Sequence, residues 1–238
     1  MLKSFVEKII TLNENKIHQI NGETYTEKPL TRIPSIVNRP SEISVNGLDS
    51  IVKLIDTEIN IIDSIVFVQV ATSDTVNVFT TYDNTYTRSL LYSATFRGAD
   101  DSFFGWQSHE KAMIKLRSCF IQNEGTEYLL SILSRITDEN SITSRDNGIT
   151  QEVETRKGIS LASKEVIKPR VKLIPYRTFT EVEQPESEFL VRLREGGEIG
   201  LFEADGGMWK LTAKENIRKY FEENLKDYID AGKVVVMI

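Results

Sequence analysis

Metal chemistry and nucleophilic chemistry draw on few side chains here: two histidines, His18 and His109, and one cysteine, Cys119, in 238 residues. His109 and Cys119 are ten positions apart on an expected helix, about 80° off a common face at ~100° per residue. A zinc site collects three or four clustered ligands, and this pair falls short of one. Cys119 lies between Ser118 and Phe120 at a helix end, where a small buried hydrophobe is the ordinary reading. Gly-x-Ser-x-Gly and the phosphate loop Gly-x-x-x-x-Gly-Lys are both absent. Glu203 and Asp205, two apart, share one face if their segment is a strand. Two such carboxylates can hold Mg²⁺ or Ca²⁺, and they are the candidate metal ligands. The competing role for Asp205, which precedes Gly206-Gly207, is to close a turn on its own backbone. Asp100-Asp101 before Phe103-Phe104 reads the same way, more weakly.

The strongest binding signal is cationic. From Arg145 to Arg177 the chain carries Arg145, Arg156, Lys157, Lys164, Lys168, Arg170, Lys172 and Arg177. Against them stand Asp146, Glu152, Glu154 and Glu165, so the balance is 8 − 4 = +4 inside an acidic chain. Lys168, Arg170 and Lys172 alternate with Pro169, Val171 and Leu173, which on a strand sets a cationic face against an apolar one. Tyr176, Arg177 and Thr178 follow with an aromatic ring and further donors. These six (Lys168, Arg170, Lys172, Tyr176, Arg177, Thr178) are the candidate cradle for a nucleotide, a phosphate or an acidic partner. The alternative is a solvated strand face offset by Glu181, Glu183, Glu186 and Glu188. Trp106 and Trp209 flank expected helix starts and are read as plugs of a core edge.

The elements that must position these residues follow from periodicity. Leu2, Phe5, Val6 and Ile9 fall at helical spacing and predict an amphipathic helix that covers a sheet. Asn21-Gly22 between KIHQI and ETYT predicts a hairpin, and 33–40, with two prolines, reads as a connector. Leu48, Ile51, Val52 and Ile55 form a helical stripe capped by Ser44 or Asn46. Three strands follow at 64–71, 75–82 and 85–96, the last after an Asp83-Asn84 turn; links this short impose antiparallel pairing. Two helices come next, one capped by Ser108 with Met113, Leu116 and Phe120 on a face, the other near 126–136 with Leu129, Ile132, Leu133 and Ile136. Beyond Ser141 the period becomes two, punctuated by Asp146-Asn147-Gly148, Lys157-Gly158 and Gly196-Gly197. In 188–195, Phe189, Val191 and Leu193 oppose Arg192 and Arg194. A helix over about 212–229 opens on a Thr212/Glu215 capping box, and KVVVMI at 233–238 is a strand apolar enough to require burial.

The expected fold class is therefore α+β: N-terminal helices with an antiparallel meander, then a mostly antiparallel β region closed by an amphipathic helix and a final strand. A boundary near Asn140 separates lobes 1–140 and 141–238, with a single domain as the alternative. A hydrophobic share of 40% supports a real core, and a net charge of −6 argues against a protein built to grip phosphate backbones. Lys3, Glu7 and Lys8 interrupt any signal sequence, no transmembrane run is present, and a lone cysteine suits a reducing cytoplasm.

The series GITQEVETRKGI, PYRTFTEVEQPESEF and LFEADGGMWKL, with NGETYTEKPL and FFGWQSHEKAMIKLRSCF, resembles a family of uncharacterised phage and prophage proteins from Gram-positive bacteria, distantly akin to the YfdQ-like group. The likeness covers most of the chain and implies a setting, the cytoplasm of an infected bacterial host, but no catalytic residues. The expected function is a non-enzymatic binding or assembly protein that holds a phage or host protein, in homo-oligomeric form, without cofactor or membrane. The alternatives are an anti-defence protein that sequesters a small nucleotide-derived anion, and an accessory protein of phage replication or recombination. The negative charge sets nucleic acid behind the other partners, since single-strand binders combine basic grooves with stacking aromatics. A metal-dependent hydrolase built on Glu203 and Asp205 ranks last.

Overall fold

The computed structural model describes residues 2–13, 16–20, 23–26, 40–83, 86–98, 105–135, 141–146, 151–157, 160–194 and 198–238. The chain forms two compact units, Met1–Arg39 and Pro40–Ile238. In the first, α1 (Leu2–Asn13) precedes an antiparallel hairpin of β1 (Ile17–Ile20) and β2 (Glu23–Thr26), closed at Ile20↔Glu23. Leu2, Phe5, Val6 and Ile9 of α1 are all exposed. The Asn21-Gly22 turn lies outside the described residues, as does the connector through residue 39.

In the second unit, one five-stranded sheet has the order β15-β4-β5-β6-β3. Its strands are β3 (Ile43–Val45), β4 (Val66–Val70), β5 (Thr75–Thr80), β6 (Leu90–Thr95) and β15 (Val234–Met237). The β4-β5-β6 meander is antiparallel, whereas β15 joins β4 and β3 joins β6 in parallel. Alternation decides which side is core: Val66, Val68, Val70, Val76, Val78 and Ala94 are fully buried beneath α2 (Leu48–Glu58) and α5 (Trp209–Asn224), with Ile51, Ile55, Ile217 and Phe221 packed on them. The second sheet, β7-β14-β13-β12-β8, runs antiparallel throughout. It comprises β7 (Gly105–Gln107), β8 (Phe120–Ile121), β12 (Arg170–Pro175), β13 (Ser187–Arg194) and β14 (Glu198–Glu203). Phe189, Val191 and Leu193 face α3 (His109–Ser118) and α4 (Glu124–Arg135) through Leu116, Leu129 and Leu133. A third, three-stranded antiparallel sheet holds β9 (Ser141–Asp146), β10 (Gln151–Lys157) and β11 (Ser160–Ile167).

The fold is α+β as expected, and several local assignments change. Neither Ser44 nor Asn46 caps α2: Gly47 holds that position, and the acceptor for the Leu48 N–H is Glu181 Oε1 at 2.7 Å, from a distant loop. The last long helix starts at Trp209, because the Asp205-Gly206-Gly207 turn, with φ of +64° and +81° at its glycines, feeds straight into it. Thr212 and Glu215 are thus inside the helix and form no capping box, and the helix breaks at Leu225 before α6 (Lys226–Asp230). Phe120 leaves its helix for β8 yet stays in the same core. The boundary near Asn140 lies outside the described residues, and both large sheets draw strands from either side of it. The turns at Asn84, 147–148, 158 and 196–197, the pair Asp100-Asp101 with Phe103-Phe104, and Ile136 also fall outside.

Candidate functional site

The sequence-selected residues separate into two places. Arg177 and Thr178 sit on the loop after β12 and are buried, not exposed. Gln184 organises that loop: its Oε1 accepts from the Arg177 and Thr178 amides at 3.1 and 3.2 Å, and its Nε2 donates to the Phe179 carbonyl at 2.9 Å. Thr178 Oγ1 donates to the Ser73 carbonyl at 2.5 Å, which ties the loop to the β4–β5 turn. The Arg177 guanidinium donates to Glu203 Oε1 at 2.5 Å and to Ser187 Oγ, and Ser187 Oγ donates to Asp205 Oδ2 at 2.6 Å. The guanidinium also stacks on Trp209, 3.9 Å from the ring centroid. The cation beside Glu203 is therefore Arg177, and Asp205 reaches it through Ser187. No cluster of three or more His, Cys, Asp or Glu side chains suited to a metal occurs among the described residues. Burial works to raise the Asp205 pKa, but the hydrogen bonds from Ser187 and the Gly207 amide, the Arg177 charge and the Trp209 amide outweigh it. The carboxyl is held below its ordinary value. Around this corner lies an open groove of about 970 Å³ lined by Thr72, Asp74, Phe202, Trp209 and Lys210 beside Arg177 and Glu203.

Lys168, Arg170 and Lys172 line a different groove, of about 470 Å³, under the start of α4. Arg170 and Lys172 do project from β12 opposite the buried Val171 and Leu173. Each cation meets a neighbour: Arg170 pairs with Glu188 at 2.6 Å, Lys172 with Glu186 at 2.9 Å, and Lys168 Nζ lies 4.8 Å from the Tyr128 ring centroid. Hydrogen bonding to Glu186, and then its charge, raise the Lys172 pKa. With Glu124 also on the wall, the lining acids equal the lining cations in number, so the groove has little pull on an anion. Tyr176 is exposed, and its amide donates to the Cys119 carbonyl at 2.9 Å. Arg145, Arg156, Lys157 and Lys164 belong to the three-stranded sheet, where strand placement alone is described.

A third surface was not singled out by its sequence. The face of the first sheet turned away from α2 and α5 carries no described helix of residues 40–238. On it Phe67 stands directly opposite Phe79, Phe79 opposite Leu90, and Gln69 opposite Asn77. Val235 and Met237 extend it to the edge, 39% and 38% exposed. A hollow of about 420 Å³ is lined by Phe67, Gln69, Phe79, Arg88, Leu90 and Met237. The Arg88 guanidinium lies over Phe67 and Tyr82, at 5.2 and 5.6 Å from the ring centroids. The missed signal was the second face of the alternation: Phe67, Phe79 and Met237 occupy positions where a solvated strand carries polar residues. No described helix is long and apolar enough to cross a membrane. No known protein family, curated protein or solved structure matches the chain.

Proposed function

We propose that this protein works by binding, as an interaction or assembly protein, and that it does so in the cytoplasm of a phage-infected bacterial host. The observation that carries the binding reading is the open sheet face, where Phe67, Phe79, Leu90, Val235 and Met237 stay in contact with solvent. Interface cores are enriched in aromatic residues, Met and Arg, and Phe67, Phe79, Met237 and Arg88 are of these kinds. The setting rests on the sequence resemblance to phage and prophage proteins. A photo-crosslinking amino acid at Met237, in protein made in infected or lysogenic cells, should join the chain to a discrete macromolecule. The same group at exposed Lys226 should not. Equal, diffuse labelling at both positions would sink the reading.

A second reading, capture of a small ligand, draws on the convergence of Arg177, Trp209 and Lys210 around one groove. Trp209 Nε1 is buried there and meets no acceptor among the described residues. Native mass spectrometry of protein purified from such cells separates the two, since a captured molecule adds mass to each copy.

A further inference from the structure

We infer that the occupant of the open sheet face is a second copy of this chain, seated face to face across a twofold axis near the Phe79–Leu90 rung. The inference rests on the binding reading above and names its partner. Residues 40–238 carry 23 Lys and Arg against 31 Asp and Glu, a balance of −8, so copies of this unit repel one another over most of their surfaces. The open face is where that repulsion is relieved. Its centre is uncharged, and two described charges beside that centre, Arg88 and Glu42, are of opposite sign and lie on opposite sides of one rung.

Arg88 stands on the near side of Phe79↔Leu90, where its Nη1 donates to the Thr80 carbonyl at 3.3 Å. Glu42 stands on the far side, at the level of Asn77↔Ser93 and Ser93↔Ser44, and its Oε1 accepts from Ser93 Oγ at 2.5 Å. The two share a face: Glu42 meets Ser93, which pairs with Asn77, two residues from Phe79 on β5, and Phe79 pairs with Phe67, over whose ring Arg88 lies. Arg88 lies over β4 and β5 and Glu42 beside β6 and β3, so a dyad that lies between the two faces and runs obliquely to the strands, near Leu90, lays Arg88 of each copy against Glu42 of the other. The patch is thus complementary to itself, as an isologous interface requires.

Size sets the strength. Five strands of three to six residues at ~3.3 Å each, spaced ~4.8 Å apart, give a face of roughly 400 Å² per copy. A pair then buries about 800 Å², in the range of weak, transient contacts. The dimer is accordingly expected to be weak and reversible, and to show at the upper end of a concentration series.

The test is sedimentation velocity over a concentration series with three variants of the full chain. The parent should shift from monomer to dimer. Arg88→Glu and Glu42→Arg should each weaken association at least tenfold, and the double swap should restore it. Rescue is the decisive readout, because a merely structural role for either residue does not predict it. Should a variant misfold, Leu90→Cys in a Cys119→Ser background serves instead: oxidation should give a covalent dimer, and Lys226→Cys should not. A monomer at all concentrations overturns the inference, as does a dimer indifferent to both single swaps. A monomer whose Met237 crosslinks in cells to a different protein removes the second copy and leaves the binding reading intact. A monomer without any specific crosslink removes both.

Discussion

Arg177 shows how residue type and burial together decide a role. As the last cation of a basic segment it resembles an anion ligand, but its side chain is only 5% exposed and is committed to Glu203, Ser187 and the face of Trp209. Glu203 is about a third exposed, so removal of Arg177 leaves that carboxylate partly solvated, but it strips Ser187 Oγ of a buried partner and the Trp209 face of its cover. Arg177→Ala should therefore cost about 1–3 kcal/mol in urea unfolding, while Arg170→Ala, at an exposed pair, should stay within about 0.5 kcal/mol. Equal effects would mean that burial does not separate the two arginines. Asp205 adds a pH dependence with a definite sign. Its folded pKa lies below the unfolded value, so its stabilisation is complete above the ordinary aspartate pKa and fades as pH falls through the depressed folded value. The stability gap between the parent and Asp205→Asn should be widest near neutrality and narrow as the pH falls below the ordinary aspartate pKa toward the depressed folded value. A gap constant across that range would contradict the assigned network. The sequence displayed the members of this corner and hid its geometry. Glu203 and Asp205 were chosen for their spacing and Arg177 for its charge, yet nothing local says that a loop folds back to place one against the others. Gln184 and Ser187, which hold that loop, carry no signal of their own.

At the scale of elements, strands and helices were legible wherever period and burial coincide, as in β13, whose buried Phe189, Val191 and Leu193 alternate with Arg192 and Arg194. Helix starts were less legible, because caps can come from anywhere. The α2 N-terminus shows why. Local Ser44 and Asn46 lose to Glu181, 133 positions from the Leu48 amide it accepts. A Cβ on Gly47 would meet Glu181 Oε1 at 2.5 Å, so the glycine makes room for the incoming carboxylate. The negative group also suits the positive end of the helix. Glu181→Ala should lower stability by about 1 kcal/mol, the usual worth of an N-terminal cap, visible as a reduced denaturant midpoint with an unchanged slope. No shift in midpoint would show that water replaces the carboxylate without loss. Further ties across α2 are equally non-local: Tyr220 donates to Asp49, Tyr228 to Asp56, and Tyr92 to Glu58 at 2.5 Å. Each joins a helix surface that looks merely acidic in sequence to a tyrosine far along the chain.

Across the whole of residues 40–238, pairing order matters more than chain order. A switch from helical to alternating periodicity near position 140 suggests two successive lobes, because periodicity reports the kind of element and not its neighbour in a sheet. The sheets are instead interleaved. β7 and β8 flank β14-β13-β12 in one, while β15, the last strand, completes the other beside β4. Each half then lacks strands that the other supplies. Without β15, the β4 edge and the core around Val66 lose the fully packed Val234. Without α3 and α4, the apolar face of β12-β13-β14 has no cover. Unpaired edges and bare apolar faces favour aggregation over independent folding. Fragments 1–135 and 141–238 made separately should therefore be insoluble or lack near-ultraviolet circular dichroism, and should regain a cooperative transition only when produced together. Two fragments that each unfold cooperatively alone would show that the strands crossing position 140 decorate two finished domains and do not build them.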